Sequence, residues 1–168
     1  MGAKGGCMIT VYHGSTIEIK TPIVNIGRKG LDFGQGFYLT DIPTQAEEWA
    51  RRMADRRKTE AILNVYTFDL DKAKSEYRYM GFTAYDKKWL DFIAQSRSGG
   101  MPWKDYDIIE GGIANDRVVD TVEAYIAELI SADKALEELA RHQPNNQICI
   151  LNQDIVDKFL VFKESNKV

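Results

Sequence analysis

Two glycine-punctuated strand signals constrain the fold of this chain more than any other stretch. They are Val11-Tyr12-His13-Gly14-Ser15 and Asp32-Phe33-Gly34-Gln35-Gly36-Phe37-Tyr38-Leu39-Thr40. Each is a short run of β-formers whose polar ring sits where strand meets glycine-rich loop. Glycine lacks a Cβ and lets main chain come close to a partner. A His ending one strand and a Tyr inside the next suit a flat aromatic ligand clamped against backbone. Residues 27–36 hold four glycines without periodicity and read as loop.

The remaining pattern gives a mixed order of elements. Met8–Tyr12 is a strand ending at His13, and Ser15–Asn25, with Pro22, reads as a loop with an edge-like segment. Residues 36–40 form the next strand. Residues 44–58 form a helix, with Thr44 and Glu47 at capping-box spacing and Ala46, Trp49, Ala50 and Met53 turned to the core. Arg51, Arg52, Arg56, Arg57 and Lys58 take its other side and end, more simply a solvated face at the helix C-terminus than a substrate-binding patch. Residues 61–70 give the strongest strand signal, and 72–83 read as irregular. A helix is expected over 85–95, a breaker over 96–104, a strand over 105–109, helices over 118–130 and 133–142, and strands over 147–151 and 159–162. Asp154 opens a helical turn between these last strands. Such an order favours α+β with two small mixed sheets over a doubly wound fold.

Length and charge narrow the function classes. The 168 residues suit one domain over 8–168, preceded by a flexible start over 1–7. A net charge of −3 argues against holding nucleic acid through the overall field. Cys7 and Cys149 lie far apart and read as thiols in a reducing compartment. No apolar run approaches the roughly 18 residues of a membrane span, so a cytoplasmic protein away from membranes is expected. The chain has no phosphate loop of the G-x-x-x-x-G-K-[ST] type. Gly34–Gly36 precedes a strand and lacks the third glycine of a dinucleotide fingerprint. Two distant histidines and two distant cysteines make no zinc set.

Y-H-G-S, then F-G-x-G-F-Y-L-T, then a helix with A-x-x-W-A, resembles the ADP-ribosyltransferase superfamily. The chain is similar, more closely, to a bacterial family of unknown function within it, and Y-D-I-I-E-G-G-I-A-N-D-R and N-N-Q-I-C-I extend the likeness over nearly the whole sequence. The resemblance implies an NAD cleft between two sheets with flanking helices, and a mono-ADP-ribosyltransferase, toxin-like, using NAD as co-substrate. In the His–Tyr–Glu class, the His binds the adenosine-side ribose, the His-Gly backbone anchors the nicotinamide carboxamide, and the Tyr stacks on nicotinamide. A Glu heading a later strand binds the nicotinamide ribose. By position these roles fall on His13, Gly14, Tyr38 and Gln147, with Ser15, Gly34, Gly36, Phe37, Asn115 and Asp116 as further NAD contacts. Implied partners are a protein or nucleic-acid acceptor and, for a toxin-like member, an antitoxin.

Gln147 departs from that pattern. Its amide can bond a ribose hydroxyl. It lacks the charge that stabilises a developing cation and the basicity to deprotonate an acceptor. Chemistry would then lean on a nucleophilic acceptor or on Asp116, Asp32 or Glu110. Two other readings stand beside the transferase: a weakly active or inactive NAD/ADP-ribose-binding module, and an NAD glycohydrolase with water as acceptor. A nucleic-acid modifier would rest on the Arg51–Lys58 cluster. Each site residue also has a plainer reading. His13 can be structural, Tyr38 and Phe37 sheet aromatics, Ser15 and Gln147 polar strand-end residues. Gly34 and Gly36 can serve a tight turn, and Asn115 and Asp116 can start the following helix.

Overall fold

The computed structural model describes residues 8–27 and 31–168. The flexible start expected over 1–7, with Cys7, lies outside the described residues, as does part of the 27–36 loop. The chain is α+β with two small sheets. One has three antiparallel strands in the order β1 (Met8–Ser15), β3 (Ile62–Asp69) and β7 (Leu160–Lys167). The other runs β2 (Phe37–Leu39), β6 (Gln147–Ile150), β5 (Ile108–Gly111) and β4 (Tyr79–Gly81), and is mixed because β4 and β5 are parallel.

A single antiparallel bridge, Tyr12 to Thr40, joins β1 to β2, with Tyr12 N–H donating to Thr40 O and Thr40 N–H to Tyr12 O. The sheets therefore behave as one split sheet whose side chains alternate between two shared faces. Val11, Tyr66 and Phe68 of the first sheet meet Phe37, Leu39, Ile108, Ile148 and Ile150 of the second on one face. On the other face, α1 (Pro43–Arg57) packs on Tyr12, Leu63 and Val65. That same face of the second sheet, with Ile109 and Cys149, is covered by α3 (Lys87–Arg97), α4 (Val119–Ile126) and α5 (Ala132–Leu139).

The structure corrects several expectations. Thr44 does not cap α1: Pro43 occupies its first turn after Ile42, and no side-chain cap bond forms. Proline suits that position because its ring presets φ and its missing N–H would be unpaired anyway. The buried stripe of α1 is Ala46, Ala50 and Ala54, while Trp49 is 41% exposed and Met53 half-buried. The helix lies so close to β1 that a Cβ on Gly14 would collide with the Ala46 carbonyl oxygen, so only alanines fit beneath it.

Residues 72–83 are not irregular. Asp69 accepts from Lys72 N and starts α2 (Leu70–Glu76), and β4 follows. The strand expected over 105–109 begins later and continues through Glu110 to Gly111, after a 3-10 turn at Pro102–Asp105. The last helix, α6 (Gln153–Phe159), is capped by Asn152, and β7 runs five residues past Phe162 to Lys167, paired along β3. No helix among the described residues is long and apolar enough to cross a membrane.

Candidate functional site

Beyond the Tyr12–Thr40 bridge β1 and β2 part, and the ladder between them stops. Tyr12 turns its backbone N–H and C=O toward β2, so strand alternation aims those of Gly14 the same way, into the opening seam opposite Tyr38. Across the seam the His13 ring replaces the backbone pair, with Nδ1 2.6 Å from Tyr38 O. A carbonyl only accepts, so Nδ1 carries the proton and Nε2 is left as an acceptor. His13 stacks on Phe37 at 4.2 Å between ring centroids. Burial lowers its pKa, partly offset by the bond to Tyr38, and keeps the ring neutral near pH 7.

Tyr38 and Gln147 lie on the face that carries α1. Tyr38 pairs with Cys149, two residues beyond Gln147, and Gln147 pairs with Gly111 on β5. The Tyr38 hydroxyl donates to Gly34 O at 2.7 Å and accepts from Phe33 N at 3.1 Å, which ties the ring to the preceding loop. Burial, with the Cys149 thiol beside it, holds that phenol well above its usual pKa, so it is a neutral hydroxyl. His13 and Phe37 lie on the opposite face, where their rings stack.

Gln147 is delivered by a fixed segment. Asn146 donates from Nδ2 to Asp41 Oδ1 and Glu110 Oε2, and its carbonyl accepts from Thr40 Oγ1 at 2.7 Å. Asn145 grips Ile113 from both sides, accepting from its N–H at 2.8 Å and donating to its carbonyl at 3.2 Å.

The glycines of the pattern make room for protein. Gly34, at φ 94°, stands against the Trp103 ring, and a Cβ on Gly36 would lie 2.6 Å from Cys149 Sγ. Ser15 is buried at the end of β1 opposite Ile62. Asn115 starts the turn into α4: its side chain accepts from Arg117 N and its carbonyl from Val118 N and Val119 N. Asp116 is exposed, 3.2 Å from Arg52 of α1. His142 sits just past α5, where its backbone N–H donates to Leu139 O.

Sequence reasoning placed Trp49 in the core and so missed it as a surface aromatic on α1. A signal was available: three alanines at i, i+4 and i+8 already supply the buried stripe of α1, leaving the indole on its flank, where Arg56 lies 5.8 Å from the ring centroid. A family model described as a protein of unknown function (DUF3990) matches residues 9–162, nearly the whole chain. No curated protein and no solved structure matches it.

Proposed function

The chain belongs to the DUF3990 family, and from the geometry of its sheet seam we propose that it is an NAD-dependent mono-ADP-ribosyltransferase. One observation carries this reading: past the Tyr12–Thr40 bridge, the backbone N–H and C=O of buried Gly14 are aimed toward Tyr38 where the ladder has stopped. A primary carboxamide presents one acceptor and two donors in a plane, the complement of a strand residue's N–H and C=O. A nicotinamide carboxamide would extend the interrupted ladder at Gly14, its ring lying against Tyr38. The Nε2 of His13 would accept from a ribose hydroxyl, and the Gln147 amide would bond the nicotinamide-side ribose. The sequence resemblance to the ADP-ribosyltransferase superfamily and the two-face arrangement of two small sheets around one bridge point the same way, and on this reading the fold is ADP-ribosyltransferase-like with its NAD cleft at the seam.

The reaction breaks the bond from nicotinamide N1 to ribose C1′. The electron pair leaves with nicotinamide, positive charge develops on the ribose, and an acceptor hydroxyl or amine on protein or nucleic acid attacks C1′. With water as acceptor the same site is an NAD glycohydrolase. The neutral Gln147 amide favours one second reading, an NAD- or ADP-ribose-binding module with little turnover.

The test follows nicotinamide release and transferred ADP-ribose by mass spectrometry, with purified protein, NAD and bacterial lysate. Release that falls in His13→Ala, Tyr38→Ala and Gln147→Ala supports the transferase, and the modified species names the acceptor. NAD binding without release moves the assignment to the binding module. Neither binding nor release ends both.

A further inference from the structure

We propose that Asp116 is the carboxylate that activates the acceptor, a role Gln147 cannot fill; this rests on the transferase reading above. The sequence offers three acids near the pattern, and the structure separates them. Asp32 is buried with both oxygens engaged, Oδ1 by Arg97 Nε at 2.8 Å and Oδ2 by Ala114 N at 2.7 Å. It anchors the loop after β5 and has no lone edge to offer. Glu110 pairs with Ile148 and so projects from the face opposite Tyr38 and Gln147. There its carboxylate is held by the Tyr79 hydroxyl at 2.8 Å and by Asn146.

Asp116 differs on each count. It follows β5 by five residues, on the loop leading from Gly111, the strand partner of Gln147. That loop packs Ile113 and Ala114 onto the Tyr38 face and is pinned by Asp32 and Asn145. From it Asp116 reaches Arg52 on α1, the helix seated on Gly14. The ion pair thus spans the two walls that rise on the Gln147 face, one over each sheet. Its side chains are 81% and 56% exposed, so the pair contributes little to folding and is easily given up to a substrate. Arg52 is a positioning residue that aims the carboxylate across the seam.

In the step assigned to it, the C1′–N1 bond breaks with its electrons going to nicotinamide. A bond forms from the acceptor oxygen or nitrogen to C1′, and the acceptor proton passes to Asp116. A second carboxylate placed at 147 would share this work.

The experiment uses the 168-residue chain and NAD, with water as the acceptor, reading nicotinamide release at saturating NAD and NAD affinity by calorimetry. Asp116→Asn should lower release by about 10²-fold or more, the scale of general-base catalysis, while NAD affinity changes less than about threefold. Glu137→Gln, at an exposed acid on α5 outside the site, should leave release within about threefold. Adding Gln147→Glu to Asp116→Asn should restore at least about tenfold of the loss. Release unchanged in Asp116→Asn, or lost only in step with NAD affinity, overturns the assignment of Asp116 and leaves the transferase standing. A wild type that neither binds nor cleaves NAD overturns both.

Discussion

His13 and Tyr38 are tied to each other before any ligand arrives, and each tie has a measurable consequence. Because burial lowers the pKa of His13 below its usual 6.5, the unfolded chain binds more protons than the folded one once pH falls under that value. Its contribution to stability is therefore complete above about pH 6.5 and declines on acidification toward the folded pKa. Denaturant titrations from about pH 8 to 5 should show stability falling over this window in the wild type, and a flatter profile in His13→Asn. Superimposable profiles would mean the ring is not buried as described. Asp91 and Asp107, held low by Lys87 and Arg78 against the opposing effect of burial, contribute at more acidic pH and leave this window to His13. For Tyr38 the ring and the hydroxyl have separable jobs. Tyr38→Phe removes the links to Gly34 and Phe33 and should cost about 1–2 kcal/mol of stability. It keeps the stacking surface, so nicotinamide binding should survive in Tyr38→Phe and fail in Tyr38→Ala.

The elements are held by contacts that composition does not announce. Helix α1 rests on Gly14 with no space for a methyl group, and the obstacle is helix backbone, which cannot rotate aside. Gly14→Ala should destabilise the fold by about 1–3 kcal/mol or more, read as a drop in the thermal midpoint. Residues 16–27 form no regular element, yet side chains staple them. Asn64, fully buried on β3, accepts from Ile19 N at 2.9 Å and donates to Ile17 O at 3.0 Å. The Tyr66 hydroxyl donates to Ile19 O, and Gln153 bonds Val24 N and Pro22 O. Asn64→Leu should cost about 1–3 kcal/mol and open this loop to proteolysis at unchanged helix content. None of these staples follows a short-range spacing, which is why the sequence yielded only a loop there. The strands around His13, Tyr38, Val65 and Cys149 were legible because β-branched and aromatic runs need no partner to be recognised. Faces were not: that Glu110 and Gln147 point to opposite sides follows from the pairing of β5 with β6, a long-range fact. The α1 cap failed for a local reason, since Pro43 outweighed the Thr44–Glu47 spacing.

At the scale of the whole molecule, two sheets share one bridge, and everything asymmetric happens on one side of it. The face bearing Phe37, Leu39, Ile148 and Val11 is closed by a continuous apolar core. The other face is covered in two separate pieces, α1 over β1 and the helices α3 to α5 over the second sheet, with Arg52 to Asp116 reaching between them. A ligand that completes the ladder at Gly14 and lies on Tyr38 touches both pieces, so its binding energy goes into holding the sheets together. Saturation at 100 times Kd adds about 2.7 kcal/mol to global stability through mass action alone. The local signature is more telling than the global one. Amide exchange should slow most at Tyr12, Gly14 and Thr40 on adding NAD, while the outer strands β4 and β7 gain only the uniform global term. Nicotinamide alone should reproduce the effect at Gly14, because the carboxamide is the group proposed to pair there. Protection confined to the outer strands, or absent at saturating NAD, would separate the seam from the ligand and remove the structural basis of the transferase.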